Sequence, residues 1–232
     1  MASPLTVRRN DYHKNPKSSA IYTPPGIAKF LFDILHKAWP LFPQPGGHCG
    51  ANISATEVRP VITRRCTCCR PAFLAVLDPA IGSGQLTDPW FKGGYRISGC
   101  DIVKTDGVEV HNFHRGPFEK IEAMEHPDLV LCNPPFNGAP GKRLYPEVFL
   151  AHVFKLFGPT TPVVMFMPMG FRLNQRRKST RWRWLRDGEA KITSIISLPL
   201  DTFPGVEFHA EILVFNVAGI QPHYFLPEEA VQ

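Results

Sequence analysis

Apolar positions along the chain follow two rhythms. Between Gly26 and Trp39, residues Ile27, Phe30, Leu31, Ile34, Leu35 and Ala38 recur at the spacing of one helix face. Thr23 reads as the N-cap of this helix and Pro24 as its first residue. A second helix is predicted over Tyr145–Phe157. Elsewhere the apolar residues form short continuous runs at 73–77, 95–100, 129–132, 163–167, 192–198 and 211–218. Runs without alternation suit strands that are covered on both faces. Strands of this kind interspersed with helical stretches predict an α/β, doubly wound and mostly parallel sheet. Residues 40–71 lose the periodicity and collect Pro, Gly and Cys, as a loop or small insert would. Residues 1–20 form a basic arm carrying Arg8, Arg9, Lys14 and Lys17, and 221–232 read as a C-terminal tail.

Composition narrows the picture. The 232 residues are 44% hydrophobic, enough for one sizeable core. Pro is frequent, at 24 residues, which argues against long unbroken helices and excludes a coiled coil. There is no apolar run of 18 residues and no apolar stretch of the signal-peptide kind at the N-terminus. The expectation is a soluble, cytoplasmic protein with no membrane partner. Cys100 and Cys132 sit inside apolar runs and read as buried thiols. A net charge of +6 favours an anionic partner.

Two strand ends carry candidate chemistry. The first run is followed by Asp78, Pro79, Ala80, Ile81, Gly82, Ser83 and Gly84. Glycines at the carboxyl end of a strand let the backbone approach a ligand. About twenty residues later a strand ends in Asp101, where an acid grips a ribose diol. No Gly-Lys-Ser or Gly-Lys-Thr accompanies the glycines, so a phosphate-cradling loop is not supported. The run 129–132 leads into Asn133, Pro134, Pro135 and Phe136. The prolines fix φ and offer no N–H, so the Asn133 amide oxygen and the Pro134 carbonyl can act as a rigid pair of acceptors. Two acceptors suit an NH₂ group, and Phe136 supplies a flat apolar face for a base.

Together these motifs resemble the paired signatures of S-adenosylmethionine-dependent amino-group methyltransferases, above all the DNA adenine-N6 methyltransferases of modification systems. Tyr22-Thr23-Pro24 is similar to the element preceding the cofactor motif in one permutation class of that family. Residues 197–215 resemble its C-terminal strand pair, so the likeness runs over residues 21–217. The resemblance implies a seven-stranded class I (Rossmann-like) sheet, a catalytic domain over 21–220, and S-adenosylmethionine as cofactor. It implies that Asp78, Pro79, Ala80, Gly82 and Gly84 meet the methionine end, with Tyr22 and Thr23 closing over it. Asp101 and Ile102 would lie at the ribose and adenine, together with Asn112-Phe113, where the family often has an acid before the Phe. Asn133 and Pro134 would hold the target amine, with Pro135 and Phe136 completing the catalytic motif. The stretch after Gly84 is short and broken by Pro89, where the family has a longer helix.

The segment 171–190 bears on the substrate. Arg172, Arg176, Arg177, Lys178, Arg181, Trp182 and Arg183 interleave positive charge with an aromatic face, and residues 171–186 contain no acid. Such a segment suits phosphates and bases, although many charge runs are only solvated faces. His48, Cys49, Cys66 and Cys69 have spacing that a structural zinc can use. A loop of reduced thiols explains the same residues and is the favoured reading of the two.

The expected activity is therefore methyl transfer to the N6 amine of adenine in a DNA base flipped from its stack. RNA adenine or a protein glutamine amide are the alternative targets. A non-catalytic nucleic-acid-binding subunit is the alternative role. The catalytic fold consumes nearly the whole chain, which leaves little for a separate target-recognition domain. The expectation is either a short or loosely specified target, or a partner or oligomer that supplies recognition.

Overall fold

The computed structural model describes residues 22–38, 74–136, 144–173, 176–187, 190–203 and 209–230. The arm 1–20, the insert 40–71 and the zinc candidates His48, Cys49, Cys66 and Cys69 lie outside them. Among the described residues, no cluster of His, Cys, Asp and Glu is arranged to hold a metal ion. None of the helices there is long and apolar enough to cross a membrane.

Helix α1 (Pro25–Ala38) precedes the sheet. Strands β1 (Ala75–Asp78), β2 (Arg96–Asp101), β3 (Asn112–Arg115), β4 (Leu129–Cys132) and β5 (Val163–Pro168) run parallel. Strand β7 (Ala210–Phe215) inserts antiparallel between β5 and β6 (Ile192–Ser197). Strand β8 (His223–Phe225) adds to the outside of β6. The order is β3-β2-β1-β4-β5-β7-β6-β8, which reverses direction between β1 and β4. Open α/β sheets bind ligands outside the carboxyl ends of the strands flanking such a reversal. The sheet thus brings Asp78, Asp101 and Asn133 to one edge.

Both faces are covered. Ile27, Ala28, Leu31 and Leu35 of α1 are fully buried on one face, with Trp90 of α2 (Asp88–Lys92). The other face packs α3 (Tyr145–Phe157), α4 (Gly170–Leu173) and α5 (Thr180–Arg186). Burying each large apolar side chain contributes about 1.5–3 kcal/mol, which explains why β4 and β7 are buried at every position. Cys100 and Cys132 are free, buried thiols; burial pushes Cys100 up to about 12 and raises Cys132 as well.

Three expectations change. Thr23 is not the helix cap: the carbonyl of Pro24 accepts from the amides of Ile27 and Ala28, so α1 starts at Pro25. Pro89 does not break α2 but opens it, in the first turn, where its missing N–H has no intrahelical partner to lose. The sheet has eight strands rather than seven, because residues 223–225 form β8 instead of a tail. Beyond β8, the turn of 3-10 helix Glu228–Ala230 closes on α1. A Cβ on Gly26 would lie 2.5 Å from the Ala230 carbonyl oxygen, so only Gly admits this contact. Phe30 of α1 meets Tyr224 of β8 edge to face at 6.0 Å.

Candidate active site

The site begins where β1 stops. Asp78 is buried, and its Oδ1 accepts from the amide of Ala80 at 2.9 Å, which starts the turn. Burial raises this carboxyl to about 7, with Asp101 adding a repulsive contribution. The chain then folds back over β2, where the amide of Ile81 donates to the carbonyl of Cys100 at 3.1 Å. Gly99 makes this possible, since a Cβ there would stand 2.6 Å from Ile81 Cδ1. Gly82 follows with φ +51°, a left-handed conformation that costs glycine little. Its amide donates to Asp101 Oδ2 at 2.9 Å, while Asp101 Oδ1 accepts from Val103 N at 3.3 Å. Each carboxylate oxygen therefore keeps a second lone pair for a ligand.

The segment before α1 crosses this edge. A Cβ on Gly82 would lie 3.4 Å from the Tyr22 ring, so the turn runs beside that ring. The next residue, Thr23, is 4% exposed, and its Oγ1 accepts from Asn133 Nδ2 at 3.2 Å. One chain of contacts thus runs Asn133–Thr23–Tyr22–Gly82–Asp101. It joins residues that are up to 111 positions apart in sequence and reach the edge from β4, α1, β1 and β2. Pro134 is buried and Pro135 exposed, with Asn133 between the two in accessibility.

The remaining predicted contacts separate into those near this group and those turned from it. Ile102 is 66% exposed directly after Asp101, an apolar surface open at the strand end. Phe113 packs partly against the core on the α1 side, and the Lys104 ammonium lies 5.5 Å from its ring centroid. Asn112 alternates to the opposite face of β3, where its amide lies 3.5 Å from Ser98 Oγ. The reversed amide instead donates to the His111 carbonyl and accepts from Arg96, and neither orientation brings Asn112 to the site. Phe136 is 8% exposed and belongs to the core beneath α1 rather than standing open. A ring with no polar atom gains by being seated there.

The basic segment also divides. Arg172 makes a two-pronged ion pair with the buried Glu211, at 3.2 and 2.9 Å. Arg181 binds Glu147 through Nε and Nη2, and its guanidinium lies 5.0 Å from the Phe171 ring centroid. These two arginines pin α4 and α5 to the sheet and to α3, so they do not serve as free phosphate ligands. Arg176, Arg177, Lys178, Trp182 and Arg183 are exposed. Ser179 caps α5 by accepting from Trp182 N at 3.0 Å, and Trp184 turns inward against Phe154. Sequence reading missed Gly99, Glu211 and Glu147. Gly99 had a signal, an isolated glycine within a strand run, which marks close backbone approach.

No protein-family model matches the chain, and no curated protein matches it. Solved structures do. A Listeria monocytogenes protein assigned to the class I S-adenosylmethionine-dependent methyltransferases superposes with TM-score 0.57 at 14% identity, covering 93% of this chain and 70% of that one. A chain of a type I restriction–modification system matches with TM-score 0.51 at 23% identity, covering 67% of this chain and 41% of its own. The M protein of the type I restriction enzyme EcoKI matches with TM-score 0.50 at 16% identity, over 65% of this chain and 42% of that one. This chain therefore spans about two fifths of those two proteins. The likeness is one of architecture: the chain has the class I methyltransferase fold.

Proposed function

We propose that the chain is an S-adenosylmethionine-dependent methyltransferase acting on the exocyclic N6 amine of adenine in DNA. The observation that carries this reading is the placement of Asn133 and Pro134 at the end of β4, tied through Thr23 and Tyr22 to the Gly82–Asp101 turn. An acceptor pair for an amine thereby adjoins a turn suited to a nucleoside. The fold likeness to restriction–modification chains supports the same reading.

The residues present fit the cofactor. Asp101 retains lone pairs for a ribose diol, Ile102 offers an apolar surface beside it, and the turn at Gly82 carries no side chain. Asp78 supplies a buried carboxyl where the methionine end carries positive charge. When bound, S-adenosylmethionine supplies a sulfonium methyl that an amine lone pair takes, the C–S electron pair staying on sulfur and one N–H proton leaving to water. Asn133 Oδ1 and the Pro134 carbonyl accept from the two N–H bonds of the target. That draws the nitrogen lone pair out of conjugation with the ring. Orientation of this kind is worth as much as about 7–11 kcal/mol of barrier. A duplex target must first be flipped out, at a cost of a few kcal/mol. Stacking of Phe136 on the flipped base would return roughly 1–3 kcal/mol, and taking its ring out of the core costs about 1.5–3 kcal/mol, so the two offset.

A nucleic-acid substrate is favoured over a protein amide by the exposed group Arg176, Arg177, Lys178, Trp182 and Arg183 on α5 and the turn before it. These residues combine phosphate-binding charge with a stacking surface. Target recognition comes from a partner chain in this reading. Labelled S-adenosylmethionine offered with DNA, RNA or protein, followed by nucleoside analysis, tests the assignment.

A further inference from the structure

We infer that the ion pair between Arg181 and Glu147 is a positioning device, which holds the exposed cations Arg176, Arg177 and Lys178 at the carboxyl edge of the sheet for a nucleic-acid backbone. This rests on the nucleic-acid reading above and adds two residues that bind each other rather than phosphate. The three cations sit on a short turn, in which the amide of Ser179 donates to the Arg176 carbonyl at 2.8 Å. Ser179 also caps α5, its Oγ accepting from Trp182 N at 3.0 Å and its carbonyl from Arg183 N at 3.2 Å. Turn and helix therefore move as one body, and whatever fixes α5 fixes the cations.

Arg181 fixes α5 on two sides. Its guanidinium binds Glu147 through Nε, at 3.1 Å, and through Nη2, and stands 5.0 Å from the ring centroid of the fully buried Phe171 of α4. The two side chains are only 18% and 22% exposed, so solvent screens this pair less than a surface one. Glu147 lies in the first turn of α3, where the helix dipole favours a carboxylate. The direction of α3 places that turn. Its last turn lies at the amino end of β4, because the Phe157 carbonyl is 3.0 Å from Nε2 of His126, which precedes β4. The 13 residues of α3 span about 20 Å, so Glu147 stands at the other end of β4, the end that leads into Asn133. Glu211, the partner of Arg172, pairs in register with Met167 near the carboxyl end of β5. The basic turn thus lies in sequence between two arginines, both pinned at the edge that holds the candidate site.

The test is a cycle of Arg181→Gln, Glu147→Gln and the double variant, with DNA affinity read by filter binding. If the segment acted through charge alone, Glu147→Gln would add one positive charge and tighten binding, Arg181→Gln would weaken it, and the double variant would match the wild type. Positioning predicts instead that all three weaken binding by similar amounts, about three- to tenfold. Each breaks the same pair, and only a fraction of the molecules then holds the cations in place. The Kd for S-adenosylhomocysteine should stay within about twofold in every variant, since the pair shares no partner with the cofactor residues. The double variant strands no charge, so it decides the matter if a single variant fails to fold. Tighter or unchanged binding in Glu147→Gln would overturn the positioning role, as would wild-type affinity in the double variant or a parallel loss of S-adenosylhomocysteine affinity. A wild-type protein that binds neither DNA nor RNA would instead overturn the nucleic-acid reading.

Discussion

The amide of Gly82 donates to Asp101 Oδ2 at 2.9 Å, so the acid at the end of β2 holds the turn that follows β1. Asp101 thus shapes the floor of the site besides offering itself to a ribose. Asp101→Ala is expected to weaken S-adenosylhomocysteine binding by about tenfold or more, since charge-assisted hydrogen bonds are worth about 1.5–3 kcal/mol each. Calorimetric titration measures this. The same variant should also lower the melting temperature, because the Gly82 amide loses its acceptor.

Gly99 is expected to matter as much as the glycines of the turn. Gly99→Ala places a Cβ 2.6 Å from Ile81 Cδ1 and 3.2 Å from its Cβ, so the Ile81 side chain and the turn that carries it must shift. Overpacking of this kind costs about 1–3 kcal/mol. Cofactor affinity and thermal stability should fall together, as read by calorimetry and a melting curve.

The architecture was legible in the sequence where burial is continuous. Strands β4 and β5, with helix α3, lie where their apolar patterns place them, because the strands are buried almost throughout and the helix buries one periodic face. Strand β3 was missed because Asn112–Arg115 carries one apolar residue and two exposed ones, and is held by main-chain pairing to β2. Strand β8 was missed because three residues with exposed His223 and Phe225 show no burial pattern. The contact between Thr23 and Asn133 was not legible, since nothing local marks a partner 110 residues away. The inward turn of Arg172 and Arg181 depends on Glu211 and Glu147, which reach them only through tertiary packing.

Asp78 should make both stability and binding depend on pH. Its folded pKa of about 7 lies above the ordinary 3.8, so the folded state holds the proton more tightly than the unfolded one. The stability contributed by this group is complete below about pH 4 and is lost as pH rises through 7. Acidification from pH 8 to pH 5 should therefore raise this group's share of the stability, and Asp78→Asn should flatten the change. Ligand binding should run the other way. A positively charged methionine end prefers the carboxylate, so Kd should rise about tenfold per pH unit below 7. A Kd independent of pH between 5.5 and 8 would contradict the placement of Asp78.

The division of the basic segment predicts two classes of variant. Replacing Arg176, Arg177, Lys178 and Arg183 together by Ala should weaken DNA binding and flatten its salt dependence, with little change in melting temperature. Arg172→Ala should instead destabilise the protein by about 3–5 kcal/mol, because it strands the buried Glu211. Filter binding across a salt series, paired with melting curves, separates the two effects.

The central claim is that Asn133 and Pro134 hold an amine beside a bound methyl donor. Its most direct test is incubation of wild type and Asn133→Ala with methyl-labelled S-adenosylmethionine and DNA, with digestion to nucleosides. Label is expected in N6-methyladenine for the wild type and no label for Asn133→Ala, with S-adenosylhomocysteine affinity nearly equal in both. Equal labelling by the two proteins, or label on a group other than an amine, would contradict it.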